Sequence, residues 1–315
     1  MELVESDVGD PADEVRAGTR WLLVAFAVLT LLAVNQLFVL ADVADRFWAW
    51  TIHTEMTAAF IGAAYAAGFV LSVLALRQHR WSRIRIPLIT VTGFTVLTAV
   101  ATTVHAHRLN LMSGGSVAEA AAWVWLAVYL AIPFACIVVV VRQERRWVRD
   151  RTIRRSMPGW LTALLACQGA VLFAAGTVLF VGGLQVHHHQ AAVTMFWPWR
   201  ITPLSGMVVG AWLLAFALAA ALAIWERDLS TLFVSGVTYT VFGVLELVAL
   251  IWHWPQVDAG SPWAWAYVVL LASVVATGGY GWWASRDADA VRVAERTAGP
   301  TITPRLPDDG TPRPR

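Results

Sequence analysis

The chain has 315 residues, 58% hydrophobic and 14% charged, with a net charge of +2 and a mean hydropathy of +0.61. A soluble domain is about half apolar and about a quarter charged, so this composition describes a membrane protein, and its small charge offers no basic surface for nucleic acid. The two cysteines, Cys136 and Cys167, lie inside apolar segments without CxxC spacing and read as small helix-packing residues rather than a disulfide framework.

Residues 1–19 are acidic and polar (Glu2, Glu5, Asp7, Asp10, Asp13, Glu14), the wrong charge for the n-region of a signal peptide, and read as a cytoplasmic tail. Eight apolar segments follow, at 20–41, 56–76, 86–106, 120–141, 159–181, 204–225, 232–252 and 262–283. Each has about the ~20 residues a helix needs to cross a hydrocarbon core. Residues 284–315 turn charged and then proline-rich (Pro300, Pro304, Pro307, Pro312, Pro314), a composition predicted to stay disordered. The expected fold is all-α, a polytopic bundle of eight transmembrane helices.

Every basic residue is Arg, and all but Arg46, Arg108 and Arg200 fall in the two tails and the even-numbered loops. Basic residues in short loops stay on the cytoplasmic side, which predicts both termini inside. Arginine without lysine, amid abundant Ala, Val and Trp, is the bias of a GC-rich genome and points to a bacterial plasma (inner) membrane. The 18 tryptophans gather at helix ends. Trp48, Trp50, Trp123, Trp125, Trp197, Trp199, Trp252, Trp254, Trp263 and Trp265 lie at outer ends, Trp21, Trp81, Trp147, Trp160, Trp225, Trp282 and Trp283 at inner ends. The expectation is two interfacial belts, with Trp212 alone inside the membrane.

Phe47-Trp48-Ala49-Trp50-Thr51-Ile52 recurs as Phe196-Trp197-Pro198-Trp199-Arg200-Ile201, and each copy leads into a segment with an early Gly-Ala, Gly62-Ala63 and Gly210-Ala211. Trp21 and Trp160, His105 and His253, and the Trp-x-Trp pairs 123/125 and 263/265 keep the same order. These matches predict two four-helix units, 20–158 and 159–283. An even number of crossings makes such repeats parallel, about a pseudo-two-fold axis along the membrane normal. The change of offset places an insertion in the first outer loop of the second unit, around His187, His188 and His189.

Glu246 is the one acidic residue inside a spanning segment, on a helical face with Tyr239, Phe242, Gly243, Leu250 and His253. It reads either as a carboxyl bonded to a neighbouring helix, with Tyr239, His253, Asn35, Gln36 or Gln168 as partner, or as a proton or ligand relay. His105 and His253 stand at equivalent positions of the two units, either as interfacial histidines or as paired ligands. The arginine-rich half of the bundle shows few polar positions, which argues against a continuous pathway. Outside the membrane, His187, His188 and His189 are candidate metal ligands, and His53, Asp42, Asp45, Glu55, Glu119 and Asp258 share that side, but no HExxH-type spacing occurs.

The stretches FWAWTIHTEMTAAFIGAAYAAGFVL (47–71) and FWPWRITPLSGMVVGAWLLAFALAAALAIWERDL (196–229) resemble those of a group of bacterial multi-pass membrane proteins with duplicated FW-x-W-x-I and Gly-Ala helix motifs. The resemblance implies a membrane bundle and no particular activity or cofactor. The functional expectation is a small ligand bound or moved between the two units. The alternatives are a metal-dependent membrane enzyme and a haem- or quinone-binding protein with an outward His site. No catalytic residue is identifiable, and the only partner implied besides a ligand is the lipid bilayer.

Overall fold

In hydrocarbon an apolar segment can satisfy its own backbone only as a helix, and eight such helices form among the described residues. The computed structural model describes residues 13–148, 155–184 and 196–298, with side chains described to 286. The spans are α1 (Ala17–Val39), α2 (Glu55–Leu76), α3 (Arg85–Val104), α4 (Ser116–Glu144), α5 (Gly159–Leu184), α6 (Pro203–Glu226), α7 (Phe233–Trp252) and α8 (Pro262–Arg286). No strand occurs among the described residues, only three isolated bridges. The helix that begins at Pro262 continues to Ala298, beyond the predicted boundary at 283, because ASRDADAVRVAERTA is rich in strong helix formers. Residues 299–315 and the histidines at 187–189 lie outside the described residues.

Four helices form the centre. α2 packs on α7 and α3 on α6, while α1 lies against α2, α4 against α3, α5 against α6 and α8 against α7. Burial follows this order: 67% of the apolar window of α2 and of α6 is enclosed, against 28% of α1 and 22% of α4. Bare glycine lets the outer pairs close. A Cβ on Gly210 would sit 2.8 Å from the Gly176 carbonyl oxygen, and one on Gly236 2.9 Å from that of Gly278, so α5–α6 and α7–α8 meet backbone to backbone.

The two Trp-x-Trp loops exchange hydrogen bonds across the centre. The Trp50 indole donates to Ser205 Oγ at 3.1 Å, and the Trp199 indole donates to Thr57 Oγ1 at 2.9 Å. Each loop is also tied within its own half, Asn110 N–H donating to the Ala49 carbonyl (2.9 Å) and Asp258 N–H to the Pro198 carbonyl (3.0 Å). Trp48, Trp50, Trp125 and Trp199 are therefore buried, each at most 5% exposed. This corrects the belt reading for them: the two Trp-x-Trp loops fold inward over the helix ends, and hydroxyls of Ser205, Thr57 and Thr102 accept from the Trp50, Trp199 and Trp125 indoles, while the Trp48 indole N–H has no partner among the described residues. Trp21, Trp123, Trp252, Trp263, Trp265 and Trp283 do face outward as a belt requires.

On the arginine-rich face the scarcity of polar groups is also corrected. The buried Arg85 guanidinium donates through Nε and Nη2 to both oxygens of Glu144 (2.7 and 3.0 Å) and through Nη1 to Glu226. It lies 4.7 Å from the Trp147 ring centroid and 5.3 Å from that of Trp225. One side chain thus ties α3, α4 and α6, a use suited to a planar fork of donors.

Candidate functional site

The face of α7 carries His253, Glu246 and Tyr239 at seven-residue spacing, about 10 Å apart along the axis. Glu246 is fully buried, and its partner is one absent from the sequence-level candidates: the Tyr267 hydroxyl on α8 donates to Oε2 at 2.8 Å. Oε1 has no hydrogen-bond partner among the described residues. Tyr267 lies 21 residues away on the next helix, so no local spacing rule points to it. Gln168, one of the suggested partners, instead binds Ser273 and Thr277, joining α5 to α8.

Tyr239 opens into a cavity of about 90 Å³ where α3, α5, α6, α7 and α8 meet, at the junction of the two halves. Its hydroxyl and those of Thr90, Ser235 and Thr238 all line this space, and all four lack a hydrogen-bond partner among the described residues. A buried hydroxyl without a partner costs about 1–3 kcal/mol, so this cavity presents four unsatisfied polar groups in a mostly apolar lining.

A larger cavity, about 320 Å³, lies between α1 and α4, floored by α2 and α3 and closed at the back by Trp212 of α6. α1 and α4 scarcely touch each other. Leu32, Val117 and Val124 at its rim are more than half exposed on apolar faces, so the opening looks sideways into the membrane. Within it the hydroxyls of Tyr65 and Tyr129 stand 2.6 Å apart, both rings buried. One hydroxyl must donate to the other, and the acceptor's own proton is then left pointing elsewhere. The Trp212 indole, stacked 3.8 Å from Phe94, also lacks a partner for its N–H. The cavity therefore offers a tyrosine hydroxyl and an indole N–H as donors, with the Gln36 amide beside them, in a mostly apolar lining. Trp212, set apart by its depth in the sequence, was not recognisable as a wall of it, because the opposing helix comes from the other half.

The structure does not join His105 to His253. The His105 ring, 2% exposed, binds the Gly183 carbonyl through Nε2 at 3.0 Å. A carbonyl only accepts, so Nε2 carries the proton and Nδ1 presents a buried lone pair without a partner. Burial holds this imidazole below its ordinary pKa, only partly offset by the Gly183 bond and reinforced by His107 and Arg108. His253 faces Glu55, with Nδ1 3.3 Å from Oε2. Each histidine thus fastens its own half to the opposite half, an arrangement unlike an axial pair on one haem.

Among the described residues one group has metal-ligand character: Asp42, Glu55 and His253, whose ligand atoms all lie within 4.8 Å of one another. Asp42 follows α1, Glu55 begins α2 and His253 caps α7, so sequence spacing could not reveal the trio. No family model, curated protein or solved structure matches the chain.

Proposed function

We propose that the protein binds a small, mostly apolar molecule carrying a hydrogen-bond acceptor, such as the carbonyl of an isoprenoid quinone, taken from the bilayer through the gap between α1 and α4. The observation that carries this reading is the 320 Å³ cavity with the Tyr65–Tyr129 pair and the Trp212 indole inside it. Ligand sites are mostly apolar clefts with a few placed polar groups, and here the Trp212 N–H and one tyrosine O–H have no acceptor among the described residues. The test is quenching of indole fluorescence by a decyl-chain quinone in detergent. Tyr129→Phe and Tyr65→Phe are each expected to weaken binding about 5–30-fold, the loss of one buried hydrogen bond of about 1–2 kcal/mol. Equal binding of a decyl chain without a carbonyl, or no effect of either substitution, reduces the cavity to a slot for lipid tails.

A second reading is a proton relay along α7, favoured by the unpartnered Glu246 Oε1 above a cavity with four unpartnered hydroxyls. In that reading Glu246→Gln abolishes proton flux in proteoliposomes while the protein stays folded, and unchanged flux removes it. The arginine-rich face is assigned to the cytoplasm, because short-loop arginines resist translocation. The paired packing of the helices and the reciprocal Trp50–Ser205 and Trp199–Thr57 bonds support a duplicated bundle of two parallel four-helix units.

A further inference from the structure

We propose that Asp42, Glu55 and His253 form a binding site for one divalent transition-metal ion, with Zn²⁺ as its natural probe, at the end of the bundle that carries the Trp-x-Trp loops. This assignment is independent of the bilayer-facing cavity, which shares none of these residues. Two carboxylates and one imidazole are a usual donor set for Zn²⁺ or Mn²⁺ and lack the thiolates that select Cu(I). Metal–ligand bonds of about 2.0–2.2 Å put neighbouring ligand atoms about 3.3–3.6 Å apart in a tetrahedral site. His253 Nδ1 and Glu55 Oε2 already stand at 3.3 Å, and all three ligand atoms fall within 4.8 Å. Asp42 is exposed, so its side chain rotates to close the remaining distance and solvent completes the coordination.

The surroundings hold the ligands as a metal site requires. Gln256 Nε2 donates to Glu55 Oε2 at 2.7 Å, and its Oε1 accepts the Met56 N–H at 3.0 Å, so one amide locks the carboxylate to the start of α2. His253 is 9% exposed, and its ring position is set by the end of α7, whose last turn bonds His253 N–H to the Ala249 carbonyl. Asp42 and Glu55 belong to the first half and His253 to the second. A metal here staples the halves together beside the exchanged tryptophans.

The test uses the full chain in detergent, purified through a tag without histidines, with His187, His188 and His189 replaced by Ala to remove their background. Titration with Zn²⁺ followed by dialysis and metal counting is expected to read about one equivalent per chain. His253→Gln and Glu55→Gln are expected to lower the affinity at least about tenfold, and Gln256→Leu to lower it measurably. Zinc-edge X-ray absorption on the same parent protein is expected to show one imidazole among oxygen donors, which decides the matter even if a variant fails to fold. Failure of the parent to retain zinc, full affinity in both ligand variants, or a shell with two or more imidazoles overturns the assignment.

Discussion

Replacing Tyr267 by Phe removes the one hydrogen bond seen on the Glu246 carboxyl, a 2.8 Å contact between a fully buried acid and a tyrosine 7% exposed. An interhelical bond in a membrane bundle is worth about 0.6–2 kcal/mol. Here the upper half of that range applies, because Glu246 Oε1 is already without a partner and the substitution orphans Oε2 as well. Tyr267→Phe should therefore cost about 1–2 kcal/mol, and Glu246→Leu a similar amount by stranding the tyrosine hydroxyl. Glu246→Gln keeps an acceptor facing that hydroxyl and should cost less than about 0.5 kcal/mol. The double variant Glu246→Leu/Tyr267→Phe should cost less than the sum of the singles by about 1 kcal/mol, since neither orphan remains. Reversible unfolding in mixed micelles with increasing SDS, followed by the emission of the 18 tryptophans, measures all four proteins. Strict additivity, or a Gln variant as unstable as the Leu variant, refutes the claim that this bond fastens α7 to α8.

Arg85→Leu should destabilise the bundle by about 3 kcal/mol, the lower end of the range for breaking a buried ion pair, because the Glu144 side chain is 29% exposed and partly screened. Adding Glu226→Leu should recover part of that loss in the same SDS titration. His105, held below its ordinary value of 6.5 by burial, charges in the unfolded chain before it charges in the folded one. Its contribution is therefore complete above about pH 6.5 and lost as pH falls, so the drop in unfolding midpoint between about pH 7.5 and about pH 5.5 should shrink in His105→Gln.

What was legible in the chain is what local physics controls. Segment length and apolarity define a helix that crosses a bilayer whatever its neighbours are, so the eight spans and their order followed from residues 20–283 alone. The period of 3.6 placed Glu246, Tyr239 and His253 on one face of α7, and the cost of a carboxyl in hydrocarbon turned that face inward, as the burial of Glu246 records. Everything that joins two distant segments was decided by packing. Trp50 could lie in a lipid belt or under a loop, and Ser205, 155 residues away, determines which. Tyr267 as the partner of Glu246, Arg85 between Glu144 and Glu226, Tyr65 against Tyr129, and Asp42 and Glu55 beside His253 all depend on which helices touch. Helix contact in a membrane rests on glycine-sized gaps and side-chain fit across the seam rather than on hydrophobic pattern, because lipid tails are as apolar as the helix faces themselves.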